Sequence, residues 1–285
     1  MLAVVIALGI AYLLILLGIS LAFIRPFRTP VFISPEFMGV PQQAMEFESK
    51  GLKLRGWWVD HENPKCVLIC LHGFMMNRAE LSPFAPKLHN KGAAFLFFDF
   101  PAHGKSQGKT CAFGYEERFC VLDSVALAKE RYPGVPIVLV GSSMGAVAAA
   151  FAVAENGDGV NGLILDSAYD KLTDAVSGWW YFIAGRTAQI LLKPAIWVAA
   201  PLAGVKPSDV VVSDALKLVT FPTLILHGEK DTLAPPKAAQ HNYEALTCPK
   251  ELVWFPGRNH SEARWEDATQ YFDRVENFLR QHQLL

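Results

Sequence analysis

The run Ile137-Val138-Leu139-Val140-Gly141-Ser142-Ser143-Met144-Gly145-Ala146 decides how the rest of the chain is read. Four consecutive apolar residues, three of them β-branched, predict a strand buried on both faces. The segment 144–155 that follows is rich in alanine and predicts a helix. At the junction stands a Gly-x-Ser-x-Gly pattern with Ser143, not Ser142, at its centre. The pattern alone arises by chance in about one chain in ten of this length. The strand before it and the helix after it give it weight, because a sharp strand–turn–helix lifts a serine Oγ clear of the sheet. The bland alternative is a Gly-Ser turn whose serine caps the helix.

Working outward, similar apolar runs occur at 44–48, 52–59, 67–71, 94–98, 163–165, 223–226 and 251–255, which with 137–140 make eight candidate strands. Helix-length segments at 80–91, 116–131, 144–155 and 236–246 lie between several of them. Strands alternating with helices predict an α/β fold with a mostly parallel eight-stranded sheet covered on both faces. The alternation breaks between Ser167 and Val219. That stretch carries Trp179-Trp180-Tyr181-Phe182 and an apolar run broken by Pro194, and it predicts a helical cap over about 168–218. On one helix the four aromatic residues cannot share a single core stripe. Some of them are therefore expected at the site entrance or against lipid.

The chain has 285 residues and a net charge of −1, from 26 Lys plus Arg against 27 Asp plus Glu. No basic surface for nucleic acid is implied, and an apolar content of 52% excludes disorder. Part of that content is concentrated in residues 1–24, which carry no charge and are interrupted only by Gly9, Gly18 and Ser20. As a helix they would span about 36 Å, enough to cross a hydrocarbon core of about 30 Å. Arg25 and Arg28 flank the C-terminal side alone, which predicts a single-pass anchor with the rest of the chain cytoplasmic. The rival is a cleaved signal peptide with its site near Ser20-Leu21-Ala22, which would make the protein secreted or periplasmic. The run is long for that, and it lacks a positive leading segment. Four prolines make 25–43 an extended linker, leaving 44–285 as the main domain. The five cysteines have no metal-site or disulfide spacing, and Cys66 and Cys70 read as small core residues.

A serine hydroxyl needs a base, and a histidine base needs a carboxylate to hold its tautomer. Of eight histidines, His260 follows the last strand on a loop. His72, His103 and His227 also lie near strand ends. His72 and His103, each followed by glycine, read as turn residues, and His61, His89, His241 and His282 fall on surface-like segments. Asp231, after the penultimate strand, is the candidate carboxylate and Glu229 its fallback. Asp99 and Asp166 also end strands but fit the order serine, acid, histidine less well. Oxyanion donors are expected from the backbone N–H groups of Met144 and Phe74.

These motifs resemble those of the α/β-hydrolase superfamily, in the branch that holds monoglyceride-lipase-like and membrane-anchored serine hydrolases. The matching runs are Leu71-His72-Gly73-Phe74, Asp99-Phe100-Pro101-Ala102-His103-Gly104-Lys105-Ser106, the Gly141-to-Gly145 motif, His227-Gly228-Glu229-Lys230-Asp231 and Asn259-His260. The resemblance implies Ser143, Asp231 and His260 as a triad, with Phe74 and Met144 as backbone donors and neither cofactor nor metal. It departs in having Ala146 after Gly145 and in lacking a glycine-rich oxyanion loop. It implies an esterase or lipase acting on lipid-like acyl esters, of monoacylglycerol or lysophospholipid type. Alternatives are an acyl thioesterase, a serine peptidase of the same fold, or a catalytically dead binding protein. Because residues 1–24 would hold the domain near the bilayer, removing them should spare a short soluble ester and weaken activity on long-chain acyl lipids in vesicles.

Overall fold

The computed structural model describes residues 1–285. The chain runs α1 (Leu2–Phe23), β1 (Gln43–Ser49), β2 (Leu52–Val59), β3 (Cys66–Leu71), α2 (Phe84–Leu88), β4 (Ala93–Phe98) and α3 (Arg118–Arg131). It continues through β5 (Ile137–Ser142), α4 (Met144–Glu155), β6 (Val160–Asp166), α5 (Leu172–Leu192), α6 (Ala195–Leu202) and α7 (Val212–Leu216). It ends with β7 (Thr223–Gly228), α8 (Pro236–Ala245), β8 (Lys250–Phe255), α9 (Ala263–Glu266) and α10 (Ala268–Gln281). The eight strands form one sheet in the order β1-β2-β4-β3-β5-β6-β7-β8. The sheet is mixed: β2 is antiparallel to β1 and β4, and every other pair is parallel. The antiparallel edge follows from a two-residue turn, Lys50-Gly51, with φ of 48° and 73°, a hairpin geometry that reverses the chain.

Strands β3, β4, β5 and β7 are buried along their whole length, as apolar strands sandwiched by helices must be. α3, α4 and α7 pack on one face, and α2 and α10 on the other. The helix α10 was not among the segments expected from the sequence. Its Tyr271, Phe272, Val275, Phe278 and Leu279 are buried at helical spacing, so the periodicity was there to be read.

Three helices, α5, α6 and α7, fill the stretch between β6 and β7. α5 is broken at Ala184-Gly185, where Gly185 takes φ 74°, and Pro194 precedes α6. The aromatic run divides by face as helical geometry requires. Trp180 is buried, Trp179 half-buried, and Tyr181 and Phe182 are exposed.

The N-terminal segment differs from a helix on a slack tether. The expectation for α1 is met in composition, with a mean hydropathy of 2.9 over its most apolar stretch. Its last turns, however, are built into the domain. Leu16, Ser20, Phe23 and Ile24 are buried. Tyr12 Oη donates to the Leu191 carbonyl at 2.6 Å and Ser20 Oγ to the Ala195 carbonyl at 3.0 Å. After it, residues 25–42 are extended apart from a short turn at Glu36–Met38, but they are held. The Arg28 guanidinium donates to the carbonyls of His103, Gly104, Ser106 and Gly108 at 2.7 to 3.1 Å. The Cys111 N–H donates to the Ile24 carbonyl at 2.8 Å. Four carbonyls converging on one guanidinium leave the segment no freedom to act as a spacer.

Candidate active site

The turn after β5 sets the site. Ser143 sits at φ 49°, ψ −112°, a strained conformation for a residue with a side chain. The tight turn around it has room because the residues two positions to either side, Gly141 and Gly145, have no side chain. A Cβ on Gly141 would lie 2.4 Å from the Ala146 backbone, and one on Gly145 only 2.0 Å from the Leu71 carbonyl oxygen. The Ser143 N–H donates to the Asp166 carbonyl at 2.8 Å, which ties the turn to the neighbouring strand. Ser142 points the other way and is fully buried.

The structure brings three of the expected residues into one hydrogen-bonded chain. His260 Nε2 lies 2.9 Å from Ser143 Oγ, and His260 Nδ1 lies 2.7 Å from Asp231 Oδ2. Asp231 is buried, and its other oxygen accepts the N–H groups of Leu233 and Ala234 at 2.9 and 2.8 Å. That carboxylate therefore holds a fixed orientation. Glu229 is exposed and stands outside the chain. Asn259 Oδ1 accepts the N–H of Thr232 at 3.0 Å and that of His260 at 2.9 Å, joining the acid loop to the base loop. Burial alone would lower the His260 pKa. The Asp231 charge and hydrogen bond, with Asp166 and Glu80 further off, outweigh burial and leave it raised.

The loop after β3 carries Phe74, and its shape depends on two buried histidines that stay neutral. Burial pushes His72 down to about 4 and His103 down to about 3. His72 Nε2 accepts the Phe100 N–H at 2.9 Å, and His103 Nε2 accepts the Met75 N–H at 3.3 Å. Neither contacts Ser143, in keeping with their reading as turn residues. The N–H groups of Phe74 and Met144 are not among those that find a protein acceptor, so both remain available to a ligand.

Two cavities meet at Ser143 and His260. One is apolar and narrow, holding about 30 Å³, with Phe23, Phe113, Tyr169, Val176 and Trp179 in its walls. The other is an open cleft of about 280 Å³ that adds Glu80, Ser261, Glu262 and Arg264. The apolar cavity is tight around Ser143, with aromatic side chains on several sides. Phe23, from α1, packs against Phe74, Phe113 and Trp180 at ring distances of 5.1 to 5.5 Å. Sequence reasoning missed Phe23 because nothing local in an apolar helix marks the one residue that turns inward. It also missed Glu80 and Arg264, whose pairing spans 184 positions. All five cysteines are free and four are buried, with burial pushing Cys66 up to about 12. No group of three or more His, Cys, Asp or Glu side chains is arranged to hold a metal ion.

A family profile described as serine aminopeptidase, S33, matches residues 62–210. The chain is 26% identical over 241 residues to the Bacillus subtilis protein YqkD, itself uncharacterised, covering 80% of this chain and 76% of that one. It is 24% identical over 236 residues to human monoglyceride lipase, covering 72% and 78% of the two chains. Among solved structures, an esterase of Pyrococcus furiosus, Pf2001, superposes with a TM-score of 0.77 at 26% identity, covering 91% of this chain and 98% of that one.

Proposed function

Because the chain belongs to the serine aminopeptidase S33 family of α/β hydrolases, on its monoglyceride-lipase-like side, we propose that it is a serine ester hydrolase of lipid-like acyl substrates. The observation that carries this reading is the hydrogen-bonded chain Ser143–His260–Asp231 opening onto an apolar cavity and an open cleft of mixed lining. Ser143 Oγ attacks the ester carbonyl while His260 Nε2 takes its proton. Asp231 holds the Nδ1–H tautomer and stabilises the imidazolium. The Phe74 and Met144 N–H groups receive the oxyanion. Collapse expels the alcohol, which takes the proton from His260, and water then releases the acid by the reverse path. The apolar cavity suits the acyl chain and the open cleft suits the alcohol.

A peptidase reading finds less support. A free amino terminus needs an unpaired carboxylate, and neither of the cleft's two is free. Glu80 is already engaged by Arg264 at 2.8 Å, and the exposed Glu262 accepts the Asn259 N–H at 2.7 Å. A panel of monoacyl esters, acyl thioesters and amino-acid amides, run beside a fluorophosphonate probe, tests the assignment. Probe labelling with turnover of amides above esters would overturn it. Activity should fall below a pH above the ordinary imidazole value of about 6.5, since His260 must be neutral to act and its pKa is raised. A kcat/KM profile with its acid limb below pH 6 would contradict that electrostatic account.

The α1 helix supplies the lipid connection. Its bonds through Tyr12 and Ser20 place the cap beside about 12 Å of helix rise. With α1 across a bilayer, the exposed Ile190, Leu191, Trp197 and Leu202 would sit at the depth of the lipid. The Arg25 and Arg28 flank keeps the domain on the cytoplasmic side in this reading. The expectation that residues 1–24 can be removed without loss on soluble esters needs correcting, because Phe23 walls the apolar cavity. Deleting 1–24 should lower short-ester turnover at least several-fold. Deleting 1–13 should spare it and reduce only hydrolysis of a monoacyl lipid in vesicles. Equal short-ester rates for both truncations would show that Phe23 is dispensable.

A further inference from the structure

Behind the serine turn lies a buried cluster of charges that no acyl-transfer step uses. Arg264, Glu80 and Asp166 are 1%, 7% and 2% exposed. Arg264 Nη2 donates to Glu80 Oε1 at 2.8 Å, and Arg264 Nη1 donates to Asp166 Oδ2 at 2.5 Å. Tyr271 Oη donates to the same Asp166 oxygen at 2.9 Å. Each carboxylate then reaches one of the loops that form the site. Glu80 Oε2 accepts the Gly73 N–H at 2.6 Å, and Glu80 Oε1 accepts the Ser142 hydroxyl at 2.7 Å. Asp166 Oδ1 accepts the Ser167 hydroxyl at 3.0 Å, and Ser167 Oγ in turn accepts the Ser261 N–H at 3.0 Å. Gly73, Ser142 and Ser261 are the immediate chain neighbours of Phe74, Ser143 and His260.

Burying two carboxylates and a guanidinium carries a desolvation penalty of several kcal/mol per ion. Apolar side chains of the same volume would hold the sheet and α9 together as well or better. What they would not do is set three loops from one rigid point. A planar guanidinium that grips two carboxylates fixes both in direction. The geometry points to Arg264, with Glu80 and Asp166, as a positioning device that sets the Phe74 N–H, the Ser143 hydroxyl and the His260 ring in mutual register. The inference rests on the acyl-transfer reading above. Misplacement of about 1 Å among reacting groups is enough to lose on the order of a hundredfold in rate.

Glu80→Gln keeps the shape but turns an amide NH₂ toward at least one of the three donors that Glu80 now accepts. It should lower kcat on a short soluble ester 10- to 100-fold with KM within about twofold, measured well below the unfolding temperature. It should also move the acid limb of kcat/KM to lower pH, because one of the charges that raise the His260 pKa is removed. The loss of kcat at unchanged KM is the readout that a merely structural role would not move. The charged groups facing His260 are Asp231 and His227 after and on β7, Asp166 on β6, Glu80, and Glu262 and Arg264 on its own loop and α9. Glu80→Gln alters only one of them. Ser142→Ala and Tyr271→Phe each remove a single hydroxyl from the cluster, and each should lose three- to tenfold in kcat with KM unchanged. Arg264→Lys, which keeps the charge without the fork, should stay at least tenfold below the parent.

If these variants keep kcat while only their unfolding temperature drops, the cluster is structural and the inference falls. Should Glu80→Gln fail to fold, unchanged kcat in both hydroxyl variants overturns it equally. A parent protein that neither labels with fluorophosphonate nor turns over any ester would instead sink the acyl-transfer reading itself.

Discussion

Ser143→Ala is expected to abolish fluorophosphonate labelling and to cut ester turnover by about 10⁵-fold or more, the scale seen when an activated serine is lost. The loss is so large because nothing else can take its place. Ser142 is next in the chain, yet its hydroxyl is buried and donates to Glu80 at 2.7 Å on the far side of the turn. The strained backbone at φ 49° relaxes little on replacing serine by alanine, so the fold should survive and unfolding temperature should change by only a few degrees. Some rate above the uncatalysed reaction should remain, because the oxyanion donors persist. Labelling that survives in Ser143→Ala but vanishes in Ser142→Ala would reassign the nucleophile.

The next largest effect is expected for Asp231→Asn. The asparagine can keep its oxygen under the N–H groups of Leu233 and Ala234, which leaves its NH₂ facing His260 Nδ1. That nitrogen must then accept, and the proton moves to Nε2, where it meets Ser143 Oγ and blocks its deprotonation. A loss of about 10⁴ in kcat follows from the wrong tautomer, with little change in stability. Glu229→Gln, at an exposed position outside the chain of bonds, should be within a factor of two of the parent. A reversed order of severity would move the acid to Glu229.

Much of the architecture was legible because it is written in local pattern. Each of the eight strands is a short apolar or alternating run, and α4 begins at the residue where the Gly-x-Ser-x-Gly pattern predicts it. The mixed edge of the sheet was less visible, since it depends on how Lys50-Gly51 turns rather than on the strands themselves. At the site, Ser143, Asp231 and His260 were singled out by order along the chain and by their places at strand ends. Arg264 had no such mark. An arginine four residues after His260 looks like any surface arginine until the fold sets Glu80 and Asp166 on either side. Phe23 was hidden differently, since in a wholly apolar helix the inward residue is chosen by the partner and not by the sequence of the helix.

The docking of α1 also imposes an order on how the molecule is made. Ser20 and its partner Ala195 are separated by 175 positions, which a ribosome working at about 5 to 20 residues per second crosses in about 10 to 35 s. Chain contacts of this kind close in far less than a second once both partners exist. The wait is therefore set by translation. Through that interval the flank of α1 bearing Leu16, Ser20 and Phe23 has none of its native neighbours from the cap. Phe23, one wall of the apolar cavity, is thus made well before its partners in the cap, and it stays unusable until they have followed it out.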